Sequence, residues 1–299
     1  YLQYAMHVIM SFLFITMMFI MIPRAFVSAQ RIGAVLDVEP SVKDKEQTVT
    51  LADTKGRVEF RDVSFAYPDA EEKTLDDISF TAEPGKTTAI IGGTGCGKST
   101  LISLIPRFYD VTEGSITLDG VDVRDMKQHD LRENIGYVPQ KGLLFSGTIG
   151  TNLQYGREDA SLAEMTDAAE TAQAMEFINE KENGFDEEVS QGGTNVSGGQ
   201  KQRVSIARAL VKKPKVYIFD DSFSALDFRT DKALREALSE KVGDSTIIIV
   251  AQRINTIIDA DQIIVLEEGR IAGRGTHEEL LERCPLYREI SLSQIGGAA

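Results

Sequence analysis

The chain has 299 residues, 42% of them hydrophobic, a formal net charge of -14 at pH 7 and two cysteines. This length and apolar share allow one large α/β domain with its own core and a smaller additional element. The acidic excess disfavours a nucleic-acid partner, because nucleic-acid binders present clustered lysine and arginine, and Cys96 and Cys284 offer neither a disulfide framework nor metal-site spacing.

The first predicted element is a transmembrane helix. Residues 1–23 contain no Asp, Glu, Lys or Arg. About 20 apolar residues suffice to cross a hydrocarbon core of about 30 Å. Arg24 and Arg31 follow the apolar run. In a signal peptide the basic residues come before the apolar run, and that run is shorter, so a signal peptide is disfavoured. The positive-inside rule then places the following domain in the cytoplasm. The remaining alternative to a membrane span is a helix buried in the core of a soluble domain.

The helix is predicted to continue through a cytoplasmic extension to residue 36. Residues 37–55 are polar and contain Pro40 and charges of both signs, which is typical of a linker. A soluble domain is expected over 56–299. Because the chain begins with Tyr1 and a single helix makes a poor transport pathway, we expect it to be the C-terminal part of a longer protein with further transmembrane helices.

The first half of the soluble domain is predicted to contain an antiparallel sheet. Apolar and polar residues alternate over 57–65 and 75–82, as in strands with one face exposed. Further strands are predicted at 115–118, before an Asp-Gly turn, and at 135–138, before Pro139.

The second half is predicted to be helical and then parallel. Residues 161–181 are acidic and rich in Ala, Glu and Met at helical spacing, which predicts a mostly helical insertion. Apolar runs typical of strands buried on both faces lie at 216–219, 245–250 and 262–266.

A glycine-rich stretch carries the strongest functional signal. Residues 92–100 are Gly-Gly-Thr-Gly-Cys-Gly-Lys-Ser-Thr and fit the phosphate-loop pattern at every fixed position. A β-rich run, 87–91, precedes them, and a helical run, 101–105, follows. Such a loop turns backbone N–H groups towards anionic oxygens at a helix N-terminus. We therefore predict a nucleotide site, since these flanks disfavour the alternative of a chance glycine-rich turn.

The polar residues near this loop have expected roles in binding ATP and Mg²⁺. Lys98 is expected to hold the β- and γ-phosphates, and the Ser99 hydroxyl is expected to bind Mg²⁺. Asp220, at the end of a predicted parallel strand, would be the Mg²⁺-organising carboxylate opposite Ser99. The loop residues predicted to surround the nucleotide are Thr94, Gly95, Cys96, Gly97, Lys98, Ser99 and Thr100.

A second anion-binding helix start lies at 195–203, with Ser197 placed as the N-cap. The segment Val196-Ser197-Gly198-Gly199-Gln200 resembles the signature motif of ABC-type ATPases, and the order of the other motifs after residue 56 agrees. The resemblance implies an α/β P-loop NTPase with an antiparallel β subdomain and a helical subdomain. The preceding transmembrane helix further resembles an exporter half-transporter, multi-pass in the cell membrane with a cytoplasmic nucleotide-binding domain.

The resemblance also implies roles outside the phosphate loop. Tyr67 is similar to the aromatic residue that stacks on adenine. Gln140 is similar to the glutamine that links Mg²⁺ and the attacking water to the membrane domain. Asp227 belongs to a segment, 224–227, that resembles the loop crossing the dimer interface. Because the family's sites are composite, ATP held by one domain's phosphate loop would contact the other domain's signature, here Ser197, Gly198, Gly199 and Gln200.

The sequence departs from the family pattern at two positions. The residue after the strand-end Asp is normally Glu, which polarises the attacking water, and here it is Asp221. The loss of one methylene withdraws the carboxylate by about 1.5 Å, and a displacement on the order of 1 Å can cost ~10²-fold in rate. The histidine that usually contacts the γ-phosphate is replaced by Gln252, which donates a hydrogen bond but carries no charge.

These departures beside an intact signature predict one subunit of a heterodimeric exporter, similar to bacterial multidrug exporters. Its own site would hydrolyse ATP weakly, and its signature would complete the active site of a second, non-identical half-transporter. The expected cargo is a small hydrophobic or drug-like molecule, and membrane lipid is a further expected partner. The alternatives are a slow homodimeric exporter, a non-hydrolysing nucleotide sensor and a soluble ABC ATPase of DNA repair or translation, the last disfavoured by the apolar leader and acidic charge.

Overall fold

The computed structural model describes residues 1–68 and 70–295, without the side chain of Ile295. The chain divides into two compact units, 1–43 and 44–299. The boundary lies within the predicted linker, 37–55, so most of that linker, from residue 44 onward, belongs to the second unit. The described helices are α1 Leu2–Leu36, α2 Lys98–Ser103, α3 Gln128–Glu133, α4 Ile149–Gln154, α5 Leu162–Thr171, α6 Met175–Asn179, α7 Gly198–Lys212, α8 Phe228–Lys241, α9 Ile254–Ile257, α10 His277–Arg283 and α11 Pro285–Ile295.

The first unit is built on α1, a continuous helix that contains Pro23. Its 35 residues correspond to a length of about 52 Å at 1.5 Å per residue. None of its side chains is buried within the structure. Within the described residues, α1 is the one helix with the length and composition to cross a membrane. An exposed apolar surface of this length is typical of a helix that crosses a bilayer or packs on other helices.

The second unit contains three sheets in its described residues. The strands are β1 Val58–Phe65, β2 Leu75–Ala82, β3 Thr87–Gly92, β4 Glu113–Leu118, β5 Val121–Asp122, β6 Ile135–Val138, β7 Gly147–Thr148, β8 Glu188–Val189, β9 Val216–Asp220, β10 Thr246–Val250, β11 Gln262–Glu267 and β12 Arg270–Gly275.

A six-stranded sheet in the order β12-β11-β3-β10-β9-β6 forms the centre of the unit. Its strands pair in parallel except for β12, which is antiparallel to β11. Every residue of β9 and β10 is buried, as their apolar composition predicts. Because β3 and β9 flank β10, the loops at their carboxyl ends open at the same edge of the sheet.

An antiparallel sheet in the order β2-β1-β4-β5 lies beside this centre, as the alternation of residues predicts. Its β4–β5 turn also orders the entry to the domain. The Asp119 carboxylate accepts hydrogen bonds from the backbone N–H groups of Lys55, Gly56 and Arg57 at 2.8, 3.1 and 2.8 Å. The chain just before β1 is thereby fixed to the sheet.

The predicted helical insertion forms two helices, α5 and α6. The Ser161 side chain caps α5, and Glu164 bonds back to the Ser161 backbone N–H, which together form a capping box. Ala168 and Ala169 of α5 and Phe177 of α6 are buried in the same core cluster as α7. The helical subdomain therefore packs on the helix that begins with the signature segment.

Candidate nucleotide-binding site

The phosphate loop joins β3 to α2, and its backbone path requires glycine at two positions. A Cβ on Gly92 would lie 2.1 Å from the Leu266 carbonyl oxygen. Gly97 is the N-cap of α2 with φ of 99°, and a Cβ there would lie 2.8 Å from Leu75 Cδ2. By contrast, nothing lies within 4 Å of the corresponding position on Gly95. The loop is therefore packed at its ends and open at its centre, where a phosphate would enter.

Lys98 Nζ lies at the loop itself. It donates to the carbonyl oxygens of Gly92 and Gly93 at 2.8 and 2.6 Å and is 3.7 Å from Cys96 Sγ. The ammonium group is thus held beside the open centre of the loop, where it supplies positive charge for phosphate oxygens.

Ser99 and Asp220 meet although 121 positions separate them in sequence. Ser99 Oγ donates to Asp220 Oδ1 at 3.0 Å, and Tyr137 Oη donates to Asp220 Oδ2 at 3.4 Å. Burial raises the pKa of Asp220, and the hydrogen bonds from Ser99 and Tyr137 oppose this. Burial also raises the pKa of Tyr137, which remains a proton donor near neutral pH.

This donor set fits a magnesium ion. Mg²⁺ takes oxygen ligands and is usually bound by one or two carboxylates together with substrate phosphates. Ser99 and Asp220 provide a hydroxyl and a carboxylate, and Gln140 Oε1 accepts no hydrogen bond from any described residue. The described residues contain no cluster of three or more His, Cys, Asp or Glu side chains suited to a metal. A metal here would therefore depend on the nucleotide for part of its coordination.

Asp221, Gln140 and Gln252 form the corner predicted to be hydrolytic. The Asp221 side chain is buried, with 6% of its surface exposed, and its φ is +46°, in the left-handed region that Asp tolerates better than most residues. Its Oδ2 accepts from Gln140 Nε2 at 3.0 Å and from Gln252 Nε2 at 2.8 Å. One oxygen of the short carboxylate is thus occupied by two amide donors.

Tyr67 lies beside the first turn of α2. Its hydroxyl is 3.0 Å from Thr100 Oγ1, and its ring packs edge-on against Phe65 and Tyr109, with centroids 4.9 and 5.2 Å away. The ring remains 36% exposed. A flat aromatic surface is therefore available next to the phosphate loop.

The signature segment forms a separate helix start. Ser197 caps α7 and forms a capping box with Gln200, with N···O distances of 3.3 and 3.1 Å. Nothing lies within 4 Å of a Cβ built on Gly198, and one on Gly199 would lie 3.3 Å from the Ala225 oxygen. In the part of the chain that the structure describes, no hydrogen bond joins 197–200 to the phosphate loop.

Asp227 caps the helix that follows the predicted interface loop. Its Oδ1 accepts from the backbone N–H groups of Arg229 and Thr230 at 3.1 and 3.0 Å. These hydrogen bonds lower the pKa of Asp227, and the bond from the Thr230 backbone N–H has the largest effect. The capped start of α8 therefore fixes the end of segment 224–227, which packs beside the signature at Gly199.

Sequence reasoning assigned no site role to Tyr137. It lies in β6, opposite Ile218 of β9, and carries the only hydroxyl group of that strand. A hydroxyl in a short strand whose neighbour ends in a carboxylate is the signal that could have identified it.

A phosphate loop at the end of a parallel strand, with a hydroxyl facing a strand-end carboxylate, defines a P-loop nucleotide-binding domain. A family model described as ABC transporter matches residues 75–224. The chain belongs to the ABC transporter family.

Its relatives and a solved structure indicate an exporter-type architecture. The chain is 48% identical over 274 residues to the ABC transporter ATP-binding protein YfiB of Bacillus subtilis, covering 91% of this chain and 47% of YfiB. It is 43% identical over 261 residues to an ATP-dependent lipid A-core flippase of Desulfotalea psychrophila, covering 87% and 45%. A bacterial Atm1-family ABC exporter with ATP bound superposes with a TM-score of 0.86 at 39% identity, covering 91% and 48%. The chain spans about half the length of these relatives.

Proposed function

We propose that this chain is the ATP-binding part of a heterodimeric ABC exporter whose own site binds ATP but hydrolyses it slowly. The exporter would move a small hydrophobic molecule across the cell membrane, with the nucleotide-binding domain in the cytoplasm. The geometry of Asp221 is the observation that carries the proposal, because Gln140 and Gln252 both donate to its Oδ2.

A poor general base follows from this geometry. A carboxylate that activates water needs an acceptor oxygen within hydrogen-bond reach of that water. Asp221 is one methylene shorter than Glu, and one of its two oxygens is already engaged by amide donors. Gln252 is neutral and therefore supplies no positive charge to the γ-phosphate. ATP would be held with little hydrolysis.

Nucleotide binding itself is supported by the intact loop. Lys98, Ser99 and Asp220 meet at the loop, and Tyr67 offers an exposed ring beside it. Ser99, Asp220 and Gln140 Oε1 would hold Mg²⁺, which would neutralise phosphate charge when bound. The degenerate corner is therefore expected to lower hydrolysis more than affinity.

The exposed start of α7 supports a second, non-identical partner. Ser197 and Gly198 are exposed, and the capping box leaves the helix end preformed for an anion. An identical partner would bring the same short carboxylate, so a productive site needs a different chain that supplies Glu and His. ATP retained at this chain's loop would keep the two domains partly joined, while hydrolysis at the partner's loop opens them.

The relatives bear on the cargo. One of them is named a lipid A-core flippase, and a lipid-like amphiphile agrees with the expectation of a hydrophobic substrate. We therefore propose a hydrophobic or lipid-like cargo.

The test restores the two family residues. In the complete transporter, the double variant Asp221→Glu, Gln252→His should raise single-turnover hydrolysis at this chain's loop more than tenfold, consistent with the cost of a displacement on the order of 1 Å. Lys98→Ala in the same chain identifies the signal from this loop. Thermal unfolding of each variant controls for strain at the positive φ of residue 221. Hydrolysis in the unsubstituted chain as fast as in the double variant would contradict the proposal.

A further inference from the structure

The side chain of Gln294, in α11, binds the loop that carries Gln252. Gln294 Nε2 donates to the Gln252 carbonyl oxygen at 2.7 Å, and Gln294 Oε1 accepts from the Ile254 backbone N–H at 2.8 Å. One amide therefore bridges the backbone on both sides of Arg253, from an element 42 positions further along the chain.

The loop needs such a partner. Helix α9 has only four residues, and its N-cap, Arg253, makes no side-chain capping hydrogen bond. The N–H of Ile254, a buried residue, is one of the groups at a helix start that have no partner within the helix. Gln294 supplies the acceptor that the local sequence lacks.

Helix α11 is itself firmly placed. Tyr287 is fully buried, and its hydroxyl lies 2.8 Å from His277 Nδ1 of α10. Ser291 is 2% exposed and precedes Gln294 by three residues, which puts both on the same side of the helix. Arg288 donates to the carbonyl oxygens of Leu281 and Glu282 at 2.8 Å. Gln294 is itself exposed, but it lies on a helix that these contacts hold in place.

A continuous set of contacts joins Gln294 to the hydrolytic corner. Gln294 fixes the backbone of Gln252, and Gln252 Nε2 donates to Asp221 Oδ2 at 2.8 Å. Side-chain direction follows from backbone position, so a shift of the Gln252 carbonyl would redirect its amide. We infer that Gln294 is a positioning residue that aims Gln252 at Asp221 and at the γ-phosphate of ATP. This inference deepens the proposed function and rests on it for the role of Gln252.

Two substitutions separate positioning from simple capping. Gln294→Ala removes both hydrogen bonds. Gln294→Glu keeps an oxygen for the Ile254 N–H but replaces the donor to the Gln252 carbonyl with an anionic oxygen. Leu292→Ala is the matched control, because Leu292 lies on the same helix and is 63% exposed.

The experiment uses the complete transporter without Mg²⁺, so that no hydrolysis occurs, and measures Kd for ATP and ADP together with hydrogen exchange of the Ile254 amide. Gln294→Ala should speed Ile254 exchange and raise Kd for ATP, each about fivefold, the factor expected for one hydrogen bond. Gln294→Glu should leave Ile254 protected yet raise Kd for ATP to a similar extent. Kd for ADP, which lacks the γ-phosphate, should stay within twofold in every variant, and Leu292→Ala should match the unsubstituted protein.

An unchanged preference for ATP over ADP in both Gln294 variants would overturn the inference, whatever happens to Ile254 exchange. That outcome includes an equal loss of affinity for ATP and ADP, which would show a general structural role. Failure of the proposed function would give a different result, namely fast hydrolysis at this chain's loop once Mg²⁺ is added.

Discussion

At the scale of single residues, the proposed separation of ATP binding from hydrolysis depends on Asp221. Its neighbour Asp220 faces Ser99, as a magnesium-organising carboxylate should, whereas Asp221 turns to Gln140 and Gln252. The two carboxylates are adjacent in sequence but have different partners, and so they are suited to different roles. The two positions at which the sequence was expected to depart from the family pattern, 221 and 252, are joined by a hydrogen bond, as the proposed function requires of a shared role.

Tyr67 provides a test of adenine stacking. Tyr67→Ala should raise Kd for ATP about tenfold, because stacking of a base on an aromatic ring contributes about 1–3 kcal/mol. Tyr67→Phe keeps the ring and loses only the hydroxyl contact with Thr100, so we expect a change of about threefold or less. Equilibrium binding of a fluorescent ATP analogue measures both. Equal effects of the two substitutions would contradict stacking.

For single residues, the sequence predicted the placement of those site residues that lie close together along the chain. The fixed pattern of the phosphate loop places Lys98 and Ser99 at a helix start, and the structure agrees. Tyr137 and Gln294 were not predicted as site residues, since they reach their partners across 83 and 42 positions. Hydrogen bonds of that kind depend on how strands and helices pack, which no local pattern records.

Among the elements, the start of α7 carries the most specific expectation. In the proposed function this helix start completes the partner's active site. Ser197→Ala should therefore reduce steady-state ATP hydrolysis of the whole transporter by about tenfold or more, because a hydrogen bond to a charged group is worth about 1.5–3 kcal/mol. A steady-state ATPase assay in membranes measures it.

Ser161→Ala is the matched control. Ser161 caps α5 with the same kind of capping box, so its loss should cost a similar stability, about 1 kcal/mol, while ATP hydrolysis stays unchanged. Equal loss of hydrolysis in the two variants would show that α7 acts only through stability.

Buried parallel strands were the most predictable elements, because β9, β10 and β11 are apolar runs with sharp ends. The edge strand β12 was not predicted. Its residues are half-buried or exposed in alternation, two of its six positions are glycine, and it pairs with β11 alone. The two-residue strands β7 and β8 are too short to leave a periodic signal.

For the whole molecule, the separation of the signature from the phosphate loop is the central feature. Each lies on its own helix start, and no hydrogen bond joins them within the described residues. In the proposed function, a second domain brings its own signature to the ATP at this chain's phosphate loop. The sequence predicted this only through family resemblance, since composition and periodicity contain no information about a partner.

The fate of bound ATP in the complete transporter tests the account most directly. The transporter is loaded with ATP at both loops, Mg²⁺ is added for a single turnover, and the ratio of ATP to ADP on the protein is followed in time. The account predicts that one of the two ATP molecules is cleaved rapidly while the other, at the loop of Lys98, remains intact. Cleavage of both molecules at the same fast rate would contradict it.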